Sequence, residues 1–279
     1  MKNALISFFK GFWIGGTMTV PGVSGGSMAM ILNIYDSIIR AIASFRKDIK
    51  GNLLFLAQFA LGGIVGALLF SKYIIIPLLE AYPLITGYFF LGAVAGGAPI
   101  ILKTANVKKA EFKTFAFPIV GMIPILLISI IPNGFFTTAS STTLLGCLVQ
   151  FLSGFFVAIP FVLPGISVSQ VLLMMGIYKT LMTAAGNGDF STLVSFIPLV
   201  VGTIIGTLLI AKIMQKAIDK YPQTTYLIIF GFLLGSVPQL IYSSGIPDLK
   251  TLPFCILTFI LGFCFIYFLQ KVEQKKSEK

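Results

Sequence analysis

Apolar stretches long enough to cross a lipid bilayer recur from one end of this chain to the other, and that recurrence decides the class of fold. A spanning helix needs about 20 apolar residues for a hydrocarbon core of about 30 Å. Six segments approach that length: Leu53–Phe70, Leu84–Leu102, Thr114–Ile131, Leu193–Ala211, Thr225–Tyr242 and Leu252–Leu269. Only 10% of the 279 residues are charged, against about 25% in a soluble domain, so there is too little polar surface to coat a water-exposed globule. The chain reads as an all-α polytopic membrane protein, which excludes secreted, cytosolic and nucleic-acid-binding globular classes. Its excess of Lys+Arg (20) over Asp+Glu (9) suits anionic membrane lipids as partners. Lys2 and Lys10 resemble a signal-peptide n-region, but no small-residue cleavage site follows, so this first segment is expected to be retained.

Two further apolar regions, Ala4–Ile39 and Leu144–Thr183, are broken near their middles by Pro21-Gly22 and Pro164-Gly165. Proline removes a backbone donor and glycine admits non-helical dihedrals, so neither region reads as one continuous helix. The arms Ala4–Val20 and Ser24–Ile39 would each be roughly 24 Å long at about 1.5 Å per residue, short of the bilayer core. The expectation is a pair of re-entrant helical hairpins, although Leu144–Leu163 is long enough just to span. Non-helical backbone at such depth is tolerated only inside protein or beside a wet cavity.

The two halves echo each other. Pro21-Gly22-Val23-Ser24 matches Pro164-Gly165-Ile166-Ser167, and Ile34-Tyr35 matches Ile177-Tyr178, both at a separation of 143. Gly62 and Gly66 pair with Gly202 and Gly206, Lys72 with Lys212, and Tyr82-Pro83 with Tyr221-Pro222. Gly92, Gly96 and Pro99 pair with Gly231, Gly235 and Pro238. Each half thus holds one broken hairpin and three spans. Three is odd, so the second half is expected to sit inverted relative to the first, an architecture of secondary transporters. The expectation is one transmembrane domain over 1–279, with repeat one at about 4–131, repeat two at about 144–270, and a basic cytoplasmic tail at 271–279.

Charge orients this arrangement. Lys2, the loops Arg46–Lys50 and Lys103–Lys113, the run Lys212–Lys220 and the tail Lys271–Lys279 place fifteen of the twenty basic residues on one side. Lys72 and Lys250 fall on the other, and Lys10, Arg40 and Lys179 lie within the hairpin regions. The positive-inside rule puts the crowded side, with both termini, in the cytoplasm.

The hairpin tips are the candidate binding site. The first reads Thr19-Val20-Pro21-Gly22-Val23-Ser24-Gly25-Gly26-Ser27, and the second Leu163-Pro164-Gly165-Ile166-Ser167-Val168-Ser169-Gln170. A helix restarting after each Pro-Gly-x-Ser would expose first-turn amides that lack intrahelical partners. Small residues let a ligand approach them and serine hydroxyls add donors, so the expected ligand is a phosphate or carboxylate. The candidate residues are Thr19, Pro21, Gly22, Ser24, Gly25, Gly26 and Ser27 on one tip, and Pro164, Gly165, Ser167, Ser169 and Gln170 on the other. Arg40 adds a guanidinium suited to oxyanions at the cytoplasmic mouth. Its alternative role is an ion pair with Asp36, one helical turn away. The chain has no His, and Cys147, Cys255 and Cys264 lack metal-ligand spacing; no metal or cofactor is expected.

At Pro21-Gly-Val-Ser-Gly-Gly-Ser27 with Ile34-Tyr35-Asp36, and at Pro164-Gly-Ile-Ser167 with Gly176-Ile177-Tyr178, the sequence resembles the bacterial polyprenyl-phosphate transporter family, over about Gly11 to Gln270. The resemblance implies a plasma-membrane flippase that returns undecaprenyl phosphate from the outer to the cytoplasmic leaflet, recycling the lipid carrier of wall precursors. It leaves room for a coupling ion, proton or cation, and for a homo-oligomer. This chain has Met18-Thr19 where many members carry an acidic residue before the first Pro-Gly, and Val168-Ser169 where the second motif usually reads Gly-Ser. A carrier or channel for a small inorganic or organic anion is the alternative that the same tips allow. A membrane phosphatase is disfavoured, because such chemistry draws on His, clustered carboxylates or a metal, and Asp36 alone among the acids lies near the membrane interior.

Overall fold

The computed structural model describes residues 2–18, 23–107, 111–131, 143–187 and 189–277. In chain order its helices are α1 (Lys2–Thr17), α2 (Gly25–Ile31), α3 (Tyr35–Ala43), α4 (Ile49–Val65), α5 (Ile76–Ala81), α6 (Pro83–Thr104) and α7 (Phe112–Ile130). There follow α8 (Leu144–Val162), α9 (Val168–Met174), α10 (Tyr178–Asn187), α11 (Phe190–Ser195), α12 (Ile197–Lys220), α13 (Pro222–Ser244) and α14 (Leu252–Ser277). A π-helical stretch, Gly66–Ile75, joins α4 to α5. Among the described residues five helical runs are long and apolar enough to cross a membrane: Ile49–Ala81, Pro83–Thr104, Leu144–Val162, Ile197–Lys220 and Pro222–Ser244. Phe112–Ile128 and Leu252–Phe268 are shorter apolar helices. The chain is an all-α polytopic membrane protein.

Five of the six expected spans fall within helices at nearly the expected positions. The fourth does not begin at Leu193. A turn at Phe196 separates α11 from α12, whose first turn holds Pro198. Proline suits the first turn of a helix, where its missing N–H has no intrahelical partner. The second region is broken where expected, α8 ending at Val162 before Pro164-Gly165 and α9 beginning at Val168. In the first, Pro21-Gly22 lies outside the described residues, between α1, which ends at Thr17, and α2, which begins at Gly25. α2 and α9 start immediately after Ser24 and Ser167 as short helices of seven residues each. α8 is long enough to cross, whereas the 16-residue α1 is not among the spans.

Glycines set how closely the long helices approach. With no hydrophobic drive between helices in lipid, small residues that admit close backbone contact organise packing. α1 runs beside α4 in the same direction. A Cβ added at Gly62 would lie 2.0 Å from the Phe8 carbonyl oxygen, and one at Gly66 would lie 1.9 Å from that of Phe12. The pattern recurs between α8 and α12, where a Cβ at Gly202 would lie 2.0 Å from the Phe151 oxygen and Gly206 faces Phe155. Phe8 and Phe151, like Phe12 and Phe155, are 143 residues apart. The remaining long helices pair across the halves. Gly92 of α6 lies against Phe259 of α14, and Gly231 of α13 against Pro118 of α7. The buried core therefore joins both halves, with Ile31, Ile39, Phe90, Leu227 and Leu233 among its most enclosed side chains.

Gly62→Ala is expected to lower stability by about 1–3 kcal/mol, the usual cost of overpacking. Gly63→Ala is expected to be neutral, because its Cβ would meet only the Gly11 oxygen at 3.7 Å. Thermal unfolding of the detergent-solubilised variants measures the difference.

Candidate functional site

The two tips meet. Ser24 caps α2, its side-chain oxygen accepting the Ser27 N–H at 3.1 Å. The same oxygen and that of Ser27 both accept the backbone N–H of Gly165, each at 2.9 Å. The two serine oxygens are 2.7 Å apart, so one hydroxyl proton closes the pair and the other stays available to a further acceptor. All three residues are buried.

Glycine is demanded on both sides of this contact. A Cβ on Gly26 would lie 2.9 Å from Pro164 Cα, so the first helical turn of α2 can touch the second tip only without a side chain there. Gly165 has φ +89°, in the region that L side chains rarely adopt, and its Cβ would stand 2.4 Å from the Phe232 carbonyl oxygen of α13. Gly25 is under less pressure: its Cβ would meet the flexible thioether of Met18.

A second bond stitches the other flank of the same break. Tyr35 at the start of α3 donates its buried hydroxyl to the Val162 carbonyl at 2.7 Å. Val162 ends α8, where carbonyls lose their intrahelical partners. First-half side chains thus satisfy an acceptor just before Pro164-Gly165 and a donor within it.

The links that follow the short helices are duplicated. Asn33 (φ 51°) and Gly176 (φ 70°) turn the chain in left-handed conformation. Beside them Ile34 N donates to Ala29 O, and Ile177 N to Leu172 O. Ile34-Tyr35 and Ile177-Tyr178 each follow this turn, at the starts of α3 and α10.

On the second tip Ser167 precedes α9 without a side-chain capping bond, and its oxygen lies 2.7 Å from that of Ser169. Both are half-buried, as is Gln170 in the same first turn. The structure therefore brings Ser24, Gly26, Ser27, Pro164 and Gly165 into direct contact, with Gly25, Ser167, Ser169 and Gln170 in the adjoining first turns. Thr19, Pro21 and Gly22 lie outside the described residues. Gly165, expected to offer its amide to a ligand, here donates it to the opposite tip.

Arg40 stands apart, at the far end of α3 from the tip. Its guanidinium is not paired with Asp36 but with Asp219 at the end of α12, at 2.7 Å. Asp36 instead accepts the hydroxyl of Tyr226 on α13, and Ser44 donates to Gln215 of α12 at 3.3 Å. These bonds fasten α3 to the second half. Arg40 also borders a cavity of about 510 Å³ with Ser37, Ser44 and Lys47. Lys10, in α1, donates to the Leu32 carbonyl at the end of α2, at 2.7 Å, where a cation complements the helix terminus. Tyr226, Asp219 and Gln215 carried no signal in the sequence, because their partners are distant and their own segments read as plain spans.

Chemically the site offers amide and hydroxyl donors and small residues. Among the described residues no cluster of His, Cys, Asp or Glu could hold a metal ion.

The sequence model of the VCA0040-like family, described as undecaprenyl phosphate translocase-like, matches residues 14–251. A polyprenyl-phosphate transporter of Staphylococcus aureus is 30% identical over 270 residues, covering 92% of this chain and 93% of its own length. One of Vibrio cholerae is 27% identical over 259 residues, covering 85% of this chain and 78% of its own. Both relatives are named as transporters and neither as an enzyme. No solved structure matches the chain.

Ser24→Ala/Ser27→Ala leaves the Gly165 amide buried without an acceptor and is expected to cost about 1–3 kcal/mol. Ser27→Ala alone, which keeps Ser24 as acceptor, is expected to cost a fraction of that. Thermal unfolding in detergent distinguishes the two.

Proposed function

The chain belongs to the undecaprenyl phosphate translocase-like family, a family of bacterial membrane transporters, and from that premise we propose that it carries polyprenyl phosphate from the outer to the cytoplasmic leaflet. The headgroup binds where the two tips meet, and the prenyl tail stays in lipid. The observation that carries this reading is the bond from Gly165 to Ser24 and Ser27, a contact between the two Pro-Gly-x-Ser motifs.

The contact is an exchangeable one. A phosphate oxygen is a stronger acceptor than a serine hydroxyl, because bonds to charged groups are shorter and about twice as strong. On the proposed route the phosphate takes over the Gly165 N–H, and the serine hydroxyls turn to donate to it. Ser167, Ser169 and Gln170 add donors from the second tip, and the Gly25 and Gly26 amides from the first. Attraction comes from these local groups: α2 and α9 are too short for a large summed dipole.

The halves act as an inverted repeat, each a re-entrant hairpin with three spans, and both termini lie in the cytoplasm. Supporting this are the 143-residue correspondence of the α1–α4 and α8–α12 contacts, the duplicated turns at Asn33 and Gly176, and the shortness of α1 and α2. Rocking of the halves then opens the tips to one leaflet at a time. In the conformer described, α3 is fastened to α12 and α13, which closes the cytoplasmic side.

Transfer of a short-chain polyprenyl phosphate between leaflets of proteoliposomes tests the reading. The protein is expected to accelerate transfer. Ser167→Ala/Ser169→Ala, which removes donors outside the tip-to-tip contact, is expected to lower it by at least about tenfold, since each bond to a charged group is worth about 1.5–3 kcal/mol. Saturable uptake of inorganic phosphate, uninhibited by the lipid, would contradict the reading and favour a small-anion carrier.

A further inference from the structure

We infer that Lys179 and Glu80 form the outer gate of this carrier, a pair that closes when the cytoplasmic fastening of α3 opens. The inference rests on the inverted-repeat reading above and extends it to two residues with no assigned role.

The starting point is how closely two corners of the structure match. Between α5 and α6 the chain bends at Tyr82 (φ −140°, ψ 62°), and Thr86 donates to the Leu78 carbonyl at 3.1 Å. Between α12 and α13 it bends at Tyr221 (φ −133°, ψ 59°), and Thr225 donates to the Ala217 carbonyl at 2.9 Å. Each member of one set is 139 residues from its counterpart. That register places Glu80 where the other corner has Asp219: both are acids two residues before Tyr-Pro. The arms that follow the tips match as well, with α3 and α10 each launched by the turn that ends in Ile-Tyr.

Equivalent arms and equivalent corners are used differently. α3 packs along α12, with Arg40 on Asp219, Ser44 on Gln215, and Asp36 bonded to Tyr226. Among the described residues α10 packs along α9 and α11 and not along α5 or α6. Among the described residues no bond like that of Arg40 to Asp219 ties α10 to the α5–α6 corner. Lys179 and Glu80 are both exposed, and neither makes an ion pair or hydrogen bond among the described residues.

The charges nevertheless fit a fastening. Thr183 occupies the position of Arg40, and Lys179 lies one turn before it, on the same helical face. Lys179 is the only charged residue of α10, and the corner it would reach offers Glu80. Lys179 itself stands where α3 has Asp36, so closure that brought α10 to the α5–α6 corner as α3 lies on the α12–α13 corner would set Thr183 at Glu80 and this cation one turn away, within reach of its long side chain. In the open conformer Lys179 borders a cavity of about 380 Å³ with Thr180, Thr183 and Asn187. Asp189 also lines it, but its carboxylate already accepts from Ser191 and Thr192, and these bonds lower its pKa to about 2. Asp189 is thus engaged within its own loop, and the Lys179 ammonium is left for Glu80 on closure.

Cysteine pairs test this in a chain whose native cysteines are replaced. Glu80→Cys/Lys179→Cys is expected to be joined by a short bifunctional thiol reagent in proteoliposomes, with transfer of lipid phosphate falling more than tenfold and recovering when the linker is cleaved. Absence of a linkage there, while Arg40→Cys/Asp219→Cys links readily, would overturn the gate. Charge reversal supplies a second arm. Lys179→Glu and Glu80→Lys are each expected to slow transfer severalfold, and the double reversal to restore at least half of it; a double variant no better than the singles would overturn the pairing. The linkage arm needs no substrate. Failure of lipid transfer by the unaltered protein would count against the proposed function alone.

Discussion

One backbone amide organises the centre of this molecule. In the bilayer core no water is at hand, and an unpaired N–H or C=O costs several kcal/mol. A Pro-Gly break in a buried helix creates such groups. Here Gly165 N–H is satisfied by two serine oxygens of the other half, and Val162 C=O by the hydroxyl of Tyr35. The break in the second half is completed by side chains of the first. That dependence holds the tips together, and on the proposed reading it is the bond that a phosphate takes over.

The surrounding helices make this close approach possible. Glycines at 62, 66, 202 and 206 remove side chains where α1 meets α4 and α8 meets α12, which fixes the arm leading into each tip. α6 and α14, and α7 and α13, then pair across the halves. The buried core takes in residues of both halves, so the tips rest on helices contributed by both.

Much of this was legible in the sequence, for physical reasons. Long apolar runs, the Pro164-Gly165 break and the recurrence of Pro-Gly-x-Ser at a constant separation are local signals; the runs fall in helices, and a short helix begins after each Pro-Gly-x-Ser. The convergence of the tips followed from the repeat. What the sequence did not disclose was partnership. Arg40 and Asp36, one turn apart on α3, looked like each other's natural partners, yet each finds a group on the second half, because α3 lies against α12 and α13. Asp219 and Tyr226 sit in segments indistinguishable from ordinary spans. The start of α12 was misplaced because the apolar run continues through the turn at Phe196, and hydrophobicity does not register a turn.

The asymmetry of the structure carries the dynamic content. Of the two matching arms, α3 is fastened to α12 and α13 while α10, among the described residues, packs along α9 and α11; on the proposed alternating-access reading these are two ways of packing nearly the same parts. The central claim remains that the junction of the tips is where negative charge is held. An electron cryo-microscopy map of the protein in nanodiscs with a short-chain polyprenyl phosphate tests it most directly. The account predicts phosphate density within hydrogen-bonding distance of Gly165 N and the Ser24 and Ser27 hydroxyls, with the direct bond between the tips opened. Phosphate bound elsewhere, with that bond intact, would contradict it.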